Sequence, residues 1–146
     1  MQLVIGIGNR IRQDDGIGPL LVESMKRSIG VEAIAVHQLT PELAERLGRA
    51  QRVLFVDASL VGDDISLDRI EPSEPTGLGH SLDPSGLLAL TEKLYGEAPE
   101  GWALSIPGSS FGLGEGLSDH AESLLPKAKA LLETWLDEGA KEGIDG

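Results

Sequence analysis

The chain is expected to form an α/β fold: a doubly wound, mostly parallel five-stranded sheet with helices on both faces and one edge strand antiparallel. Three observations carry this expectation. Short β-branched apolar runs recur along the sequence, and capped or amphipathic segments separate them. Glycine, at 19 of 146 residues, also stands well above the usual share and supplies frequent tight turns.

Residues 2–7 (QLVIGI) form an apolar, β-branched run, as a strand buried on both faces requires, and are expected at the centre of the sheet. A Gly/Asn/Asp loop leads into residues 19–28, where Leu20, Leu21 and Met25 recur at near-helical spacing until Gly30 stops the segment. Residues 31–36 (VEAIAV) read as a second strand. Thr40-Pro41-Glu42 then places an N-cap, a proline at the first helical position and an acid in the first turn of a short helix over 41–50. Residues 52–56 (RVLFV) are a third strand ending at Asp57, and the alternation of 65–70 suits an edge strand. After a loop over 72–79, Asp83-Pro84 caps a helix through Leu94, and 102–106 are the last strand. Ser118 caps a long helix in which Ala121, Leu124, Leu125, Ala128, Leu132 and Trp135 recur at intervals of three and four. One domain is expected over residues 1–138, with 139–146 a disordered tail.

Hydrophobic residues make up 40% and charged residues 25%, which is enough to build a core without staples. Cysteine is absent, so thiolate metal sites, a cysteine nucleophile and disulfides are excluded. Twelve basic residues against 24 acidic give a net charge of −12, which repels phosphate backbones and anionic membrane surfaces. Neither a nucleic-acid partner nor a membrane is expected. With no signal-like N-terminus and no run of 18 apolar residues, a cytoplasmic monomer is the expectation.

The glycines of Gly6-Ile7-Gly8 follow the first strand as in a dinucleotide turn, but Ile11 stands where the third glycine of that fingerprint belongs, and two aspartates follow. The acids carry more chemistry. Asp14 is read as a cap of the first helix. Asp15 lies in the loop leaving strand one and Asp57 where strand three ends, so neighbouring parallel strands bring the two together. Converging carboxylates repel unless a cation, a proton or helix amides compensate, which points to metal binding. His80, ahead of the Asp83 cap, opens on the same edge. Two carboxylates and one imidazole suit Ni, Zn, Mn or Fe and leave positions for water or substrate. His37 is a second imidazole near this edge; His120, in the first turn of the last helix, is expected to be exposed.

Gly6-x-Gly8-Asn9, Asp14-Asp15-Gly16-x-Gly18, Val56-Asp57-Ala58, His80-Ser81-Leu82 and Ile106-Pro107-Gly108 together resemble the hydrogenase maturation endopeptidases, in order over residues 3–136. The resemblance implies the α/β fold argued above and a peptidase that removes the C-terminal extension of a [NiFe]-hydrogenase large-subunit precursor after nickel insertion. By motif match it implies Asp15, Asp57 and His80 as catalytic and metal ligands. It implies nickel supplied by the precursor as the recognition element, with zinc or cadmium able to substitute in vitro. Gln38 and Thr40, in the loop after strand two, fall where the family borders its site and are expected to contribute to substrate recognition.

Two mechanisms fit this resemblance. The metal can polarise the scissile carbonyl and activate a water, or one aspartate can act as general base with nickel only positioning the chain. A serine route lacks a GxSxG context. A receiver-like, Mg-dependent phosphoacceptor domain also has acids after strands one and three, but it needs a lysine after strand five, where this chain has Ser105-Ile106-Pro107-Gly108. A third reading is a protein that binds a metal centre without cutting.

Overall fold

The computed structural model describes residues 1–26, 28–74 and 82–142 of the chain. Strands β1 (Gln2–Ile7), β2 (Val31–Val36), β3 (Arg52–Ser59), β4 (Ser66–Ile70) and β5 (Glu100–Pro107) form one sheet in the order β2-β1-β3-β5-β4. All neighbours run parallel except β4, which pairs antiparallel with β5 at the edge. The central position belongs to β3 rather than β1. Both are interior strands, but β3 pairs over its whole length with β5, and that pairing carries it past Asp57 to Ser59.

Helices α1 (Ile17–Glu23), α2 (Ala44–Gly48), α3 (Pro84–Tyr95) and α4 (Asp119–Lys141) connect or close the strands. Alternation along β1 and β3 sorts the core into two layers. Val4, Leu54 and Val56 pack with residues of α1 and α4 such as Leu21 and Trp135. Leu3, Ile5, Val53 and Phe55 face the other way, onto Leu47 of α2 and Leu87 and Leu88 of α3. Helices therefore cover both faces, as the alternation of the sequence implies.

The helix boundaries differ from the sequence expectation at three places. The first helix is short and is preceded by a 3-10 turn over Gln13–Gly16. The second opens as a 3-10 turn, Pro41–Leu43; Thr40 holds the cap position but makes no side-chain cap bond. The last helix continues through Lys141, past the point where fraying was expected, because Gly139 lies against the buried side chains of Gln2 and Arg52. The caps of the two long helices are as expected: the Asp83 carboxylate accepts from Gly86 N–H at 2.7 Å, and Ser118 Oγ from Ala121 N–H at 3.2 Å.

Candidate functional site

A parallel sheet directs its connecting loops to one edge, and here the loops after β1, β3 and β5 leave adjacent strands. Three glycines bring α1 against that edge. A Cβ at Gly6 would meet the Gly18 carbonyl carbon and Val22 Cγ2, both at 2.7 Å, and one at Gly18 would fall on the carbonyl oxygens of Val56 and Ile7. Gly8, at φ +152°, lies so close to Asp15 that a side chain would collide with the Asp15 carbonyl. The glycines that suggest a dinucleotide turn thus serve close backbone packing, and they hold the turn bearing Asp14 and Asp15 against the ends of β1 and β3.

Asp15 accepts the Asn9 N–H at 2.7 Å through Oδ2, and Asp57 accepts the Ala58 N–H at 2.8 Å through Oδ1. Neither has another hydrogen bond among the described residues, so each carboxylate keeps one oxygen unengaged. Burial is the main cause that pushes the Asp57 pKa up, to about 6; the Ala58 N–H opposes it, and the charge of Asp15 adds to the rise. Asp15 follows β1 and Asp57 lies near the end of the neighbouring strand β3, and neither carboxylate accepts a hydrogen bond from a cation among the described residues. His80 lies outside the described residues. Among those described, no group of three His, Asp or Glu side chains converges as a metal site.

Asp14 is not the cap that the sequence suggests. It is wholly buried, and its carboxylate accepts four bonds from the segment between β5 and α4. Ser109 N–H donates at 2.8 Å, Ser110 N–H at 3.0 Å, and Ser118 both its N–H and its hydroxyl at 2.7 Å. Burial by itself would raise this carboxyl, but the bonds from Ser118, Ser109 and Ser110 together outweigh it and lower the pKa. Asp14 therefore clips the last loop to the turn that presents Asp15. Sequence spacing cannot reveal a partner some hundred residues away.

His37 and Gln38 are exposed just beyond β2. His37 lines a shallow cleft of about 340 Å³ with Gly8, Asn9 and Arg10. Thr40 is partly buried, and its hydroxyl bonds the Glu42 carboxylate, lowering that acid's pKa. His120 is exposed at the start of α4, as expected. No helix among the described residues is long and apolar enough to cross a membrane.

No family model matches this chain. No curated protein matches it either. Solved structures do share its fold. The hydrogenase maturating endopeptidase HybD from E. coli superposes with a TM-score of 0.78 at 20% identity, over 94% of this chain and 93% of that one. A hydrogenase 2 maturation peptidase from Thaumarchaeota archaeon SCGC_AB-539-E09 reaches 0.68 at 23% identity, over 92% and 97%. The [NiFe] hydrogenase maturation protease HycI from Thermococcus kodakarensis reaches 0.68 at 20%, over 93% and 90%. Several structures similar to this chain are thus hydrogenase maturation endopeptidases, and the sheet with its single antiparallel edge pair is common ground with them.

Proposed function

We propose that this chain is an endopeptidase that removes the C-terminal extension from the large-subunit precursor of a [NiFe]-hydrogenase once nickel has been inserted. The observation that carries the reading is the Asp15/Asp57 pair, at the carboxyl edge of a sheet whose fold is shared nearly end to end with hydrogenase maturation endopeptidases.

The donor set fits a divalent cation. Two carboxylates near each other, each with an oxygen unengaged among the described residues, supply hard oxygen ligands. Asp15, Asp57 and His80 hold the nickel seated in the precursor, and that engagement docks the scissile bond beside the acid pair. When bound, nickel supplies Lewis acidity that polarises the scissile carbonyl. The Asn9 N–H orients Asp15, the Ala58 N–H orients Asp57, and the Asp14 clip keeps the turn of Asp15 from drifting. Gln38, exposed beyond β2, contacts the entering tail, and Thr40 supports that loop through Glu42.

The test is the intact mass of a hydrogenase large-subunit precursor, nickel-loaded or nickel-free, after incubation with the protein. Loss of a C-terminal peptide from the loaded form alone is expected. No cleavage of a correctly loaded precursor would overturn the activity and favour a protein that binds the centre without cutting. Cleavage without nickel would overturn the roles given to Asp15, Asp57 and His80. A receiver-like phosphoacceptor fits less well, because an antiparallel β4 closes the sheet and neither the end of β5 nor the loop between β5 and α4 carries a lysine.

A further inference from the structure

Exposed aliphatic side chains are common singly, but a contiguous set at one site marks an interaction surface. Eight large hydrophobic side chains are strongly exposed among the described residues. Four of them, Ile11, Leu60, Val61 and Leu113, are 54% to 81% exposed and stand on the loops that leave β1, β3 and β5. Those strands are consecutive in the sheet, so the loop bases span only about 10 Å. The loops are also tied together: Gly108 N–H donates to Ser59 O at 2.9 Å, and Gly114 N–H to Ile11 O at 2.8 Å. The Asp15/Asp57 pair belongs to two of these same loop regions.

Charge at this edge is one-sided. Arg10 is paired with Glu23, and Lys127 with Asp64. Asp15, Asp57, Asp63, Glu115 and Asp119 have no ion pair among the described residues, and Arg12 is the cation left to set against them. A second copy of this chain, itself at −12, would bring the same acids face to face. The surface therefore favours a different partner, one whose apolar patch is flanked by lysines and arginines.

We propose that Ile11, Leu60, Val61 and Leu113 form an apolar rim on which the folded body of the client protein docks while its tail enters the Asp15/Asp57 site. This rests on the endopeptidase reading and adds how the client is selected: by an apolar patch and basic flanks beside the tail. The acidic surroundings steer the encounter, and the rim holds the docked complex.

The experiment measures the Kd of a nickel-loaded hydrogenase large-subunit precursor for the wild-type chain, for the double variant Leu60→Asp/Leu113→Asp, and for Leu94→Asp. Leu94 is exposed on α3, away from these loops, and serves as control. All three sites are exposed, so unchanged thermal unfolding is expected. The double variant is expected to bind at least about ten-fold more weakly, with Leu94→Asp binding as wild type. Raising ionic strength is expected to weaken wild-type binding. A double variant that binds and is cleaved as wild type, or a Kd indifferent to salt, would overturn the rim while leaving the endopeptidase reading intact. A dimer of the chain alone that the double variant dissolves would make the occupant a second copy and also overturn it. A wild-type chain that neither binds nor cuts the precursor would remove the endopeptidase reading and the rim with it.

Discussion

At the scale of single residues, the site is a balance between charge burial and the few groups that relieve it. Burial makes Asp57 bind its proton more tightly in the folded chain, with a pKa of about 6 against the 3.8 of an exposed aspartate. Its contribution to stability is therefore fully present below pH 3.8 and is lost as pH rises through about 6. Asp57→Asn removes that loss. In the metal-free protein the variant should be about 2 to 3 kcal/mol more stable than wild type near neutral pH. The gain should vanish toward pH 4 in urea titrations run at both pH values; an equal gain at both would show that burial of the charge is not its source. On the proposed reading the same substitution removes an oxygen offered to the nickel of the precursor, so stability and cleavage are expected to move in opposite directions. His80→Ala should abolish nickel-dependent cleavage with the unfolding midpoint unchanged, and full activity in that variant would sink its assignment as a ligand.

At the scale of elements, the decisive contacts are between α1 and the ends of β1 and β3. Gly18 has strand backbone directly over it, and neither carbonyl oxygen is the far end of a flexible side chain that can swing aside. Gly18→Ala must push α1 outward and with it the turn carrying Asp14 and Asp15. A cost of about 1 to 3 kcal/mol or more is expected in chemical denaturation, together with weaker precursor cleavage. A neutral effect on both would mean that the helix can shift without disturbing the site.

At the scale of the molecule, the two ends of the sheet are built for different purposes. The end opposite the loops is closed by Arg52, which is almost fully buried and donates to Gln2 Oε1 at 2.6 Å, Trp135 O at 2.7 Å and Glu100 Oε2 at 3.1 Å. Its guanidinium also stacks 4.1 Å from the centroid of the Trp135 ring. One side chain thereby joins β1, β3, β5 and α4. Truncating it removes three hydrogen bonds of a buried guanidinium and its packing on the Trp135 ring, so Arg52→Ala should lose about 3 to 5 kcal/mol. Below its lowered melting point the variant should cleave at the wild-type rate, because the site lies at the other edge; a matching loss of kcat would show that the two ends are coupled.

Strand count, the antiparallel edge, the caps at Asp83 and Ser118 and the placing of Asp15 and Asp57 at the ends of neighbouring strands were all legible in the sequence. Apolar runs, capping residues and the loop rule for parallel sheets are local or topological signals, and they survive without coordinates. The tertiary structure alone decided that β3 is central, that Asp14 is a clip and not a cap, and that the glycines serve backbone packing. It also decided that α4 runs on through Lys141. Each of these depends on contacts between residues far apart in the chain: the length of the β3/β5 pairing, the serines beyond β5, the carbonyls over Gly18 and the Gln2/Arg52 pair beside Gly139. Periodicity reports which face of an element is apolar, but which distant atom fills the space against that face is set only when the chain packs.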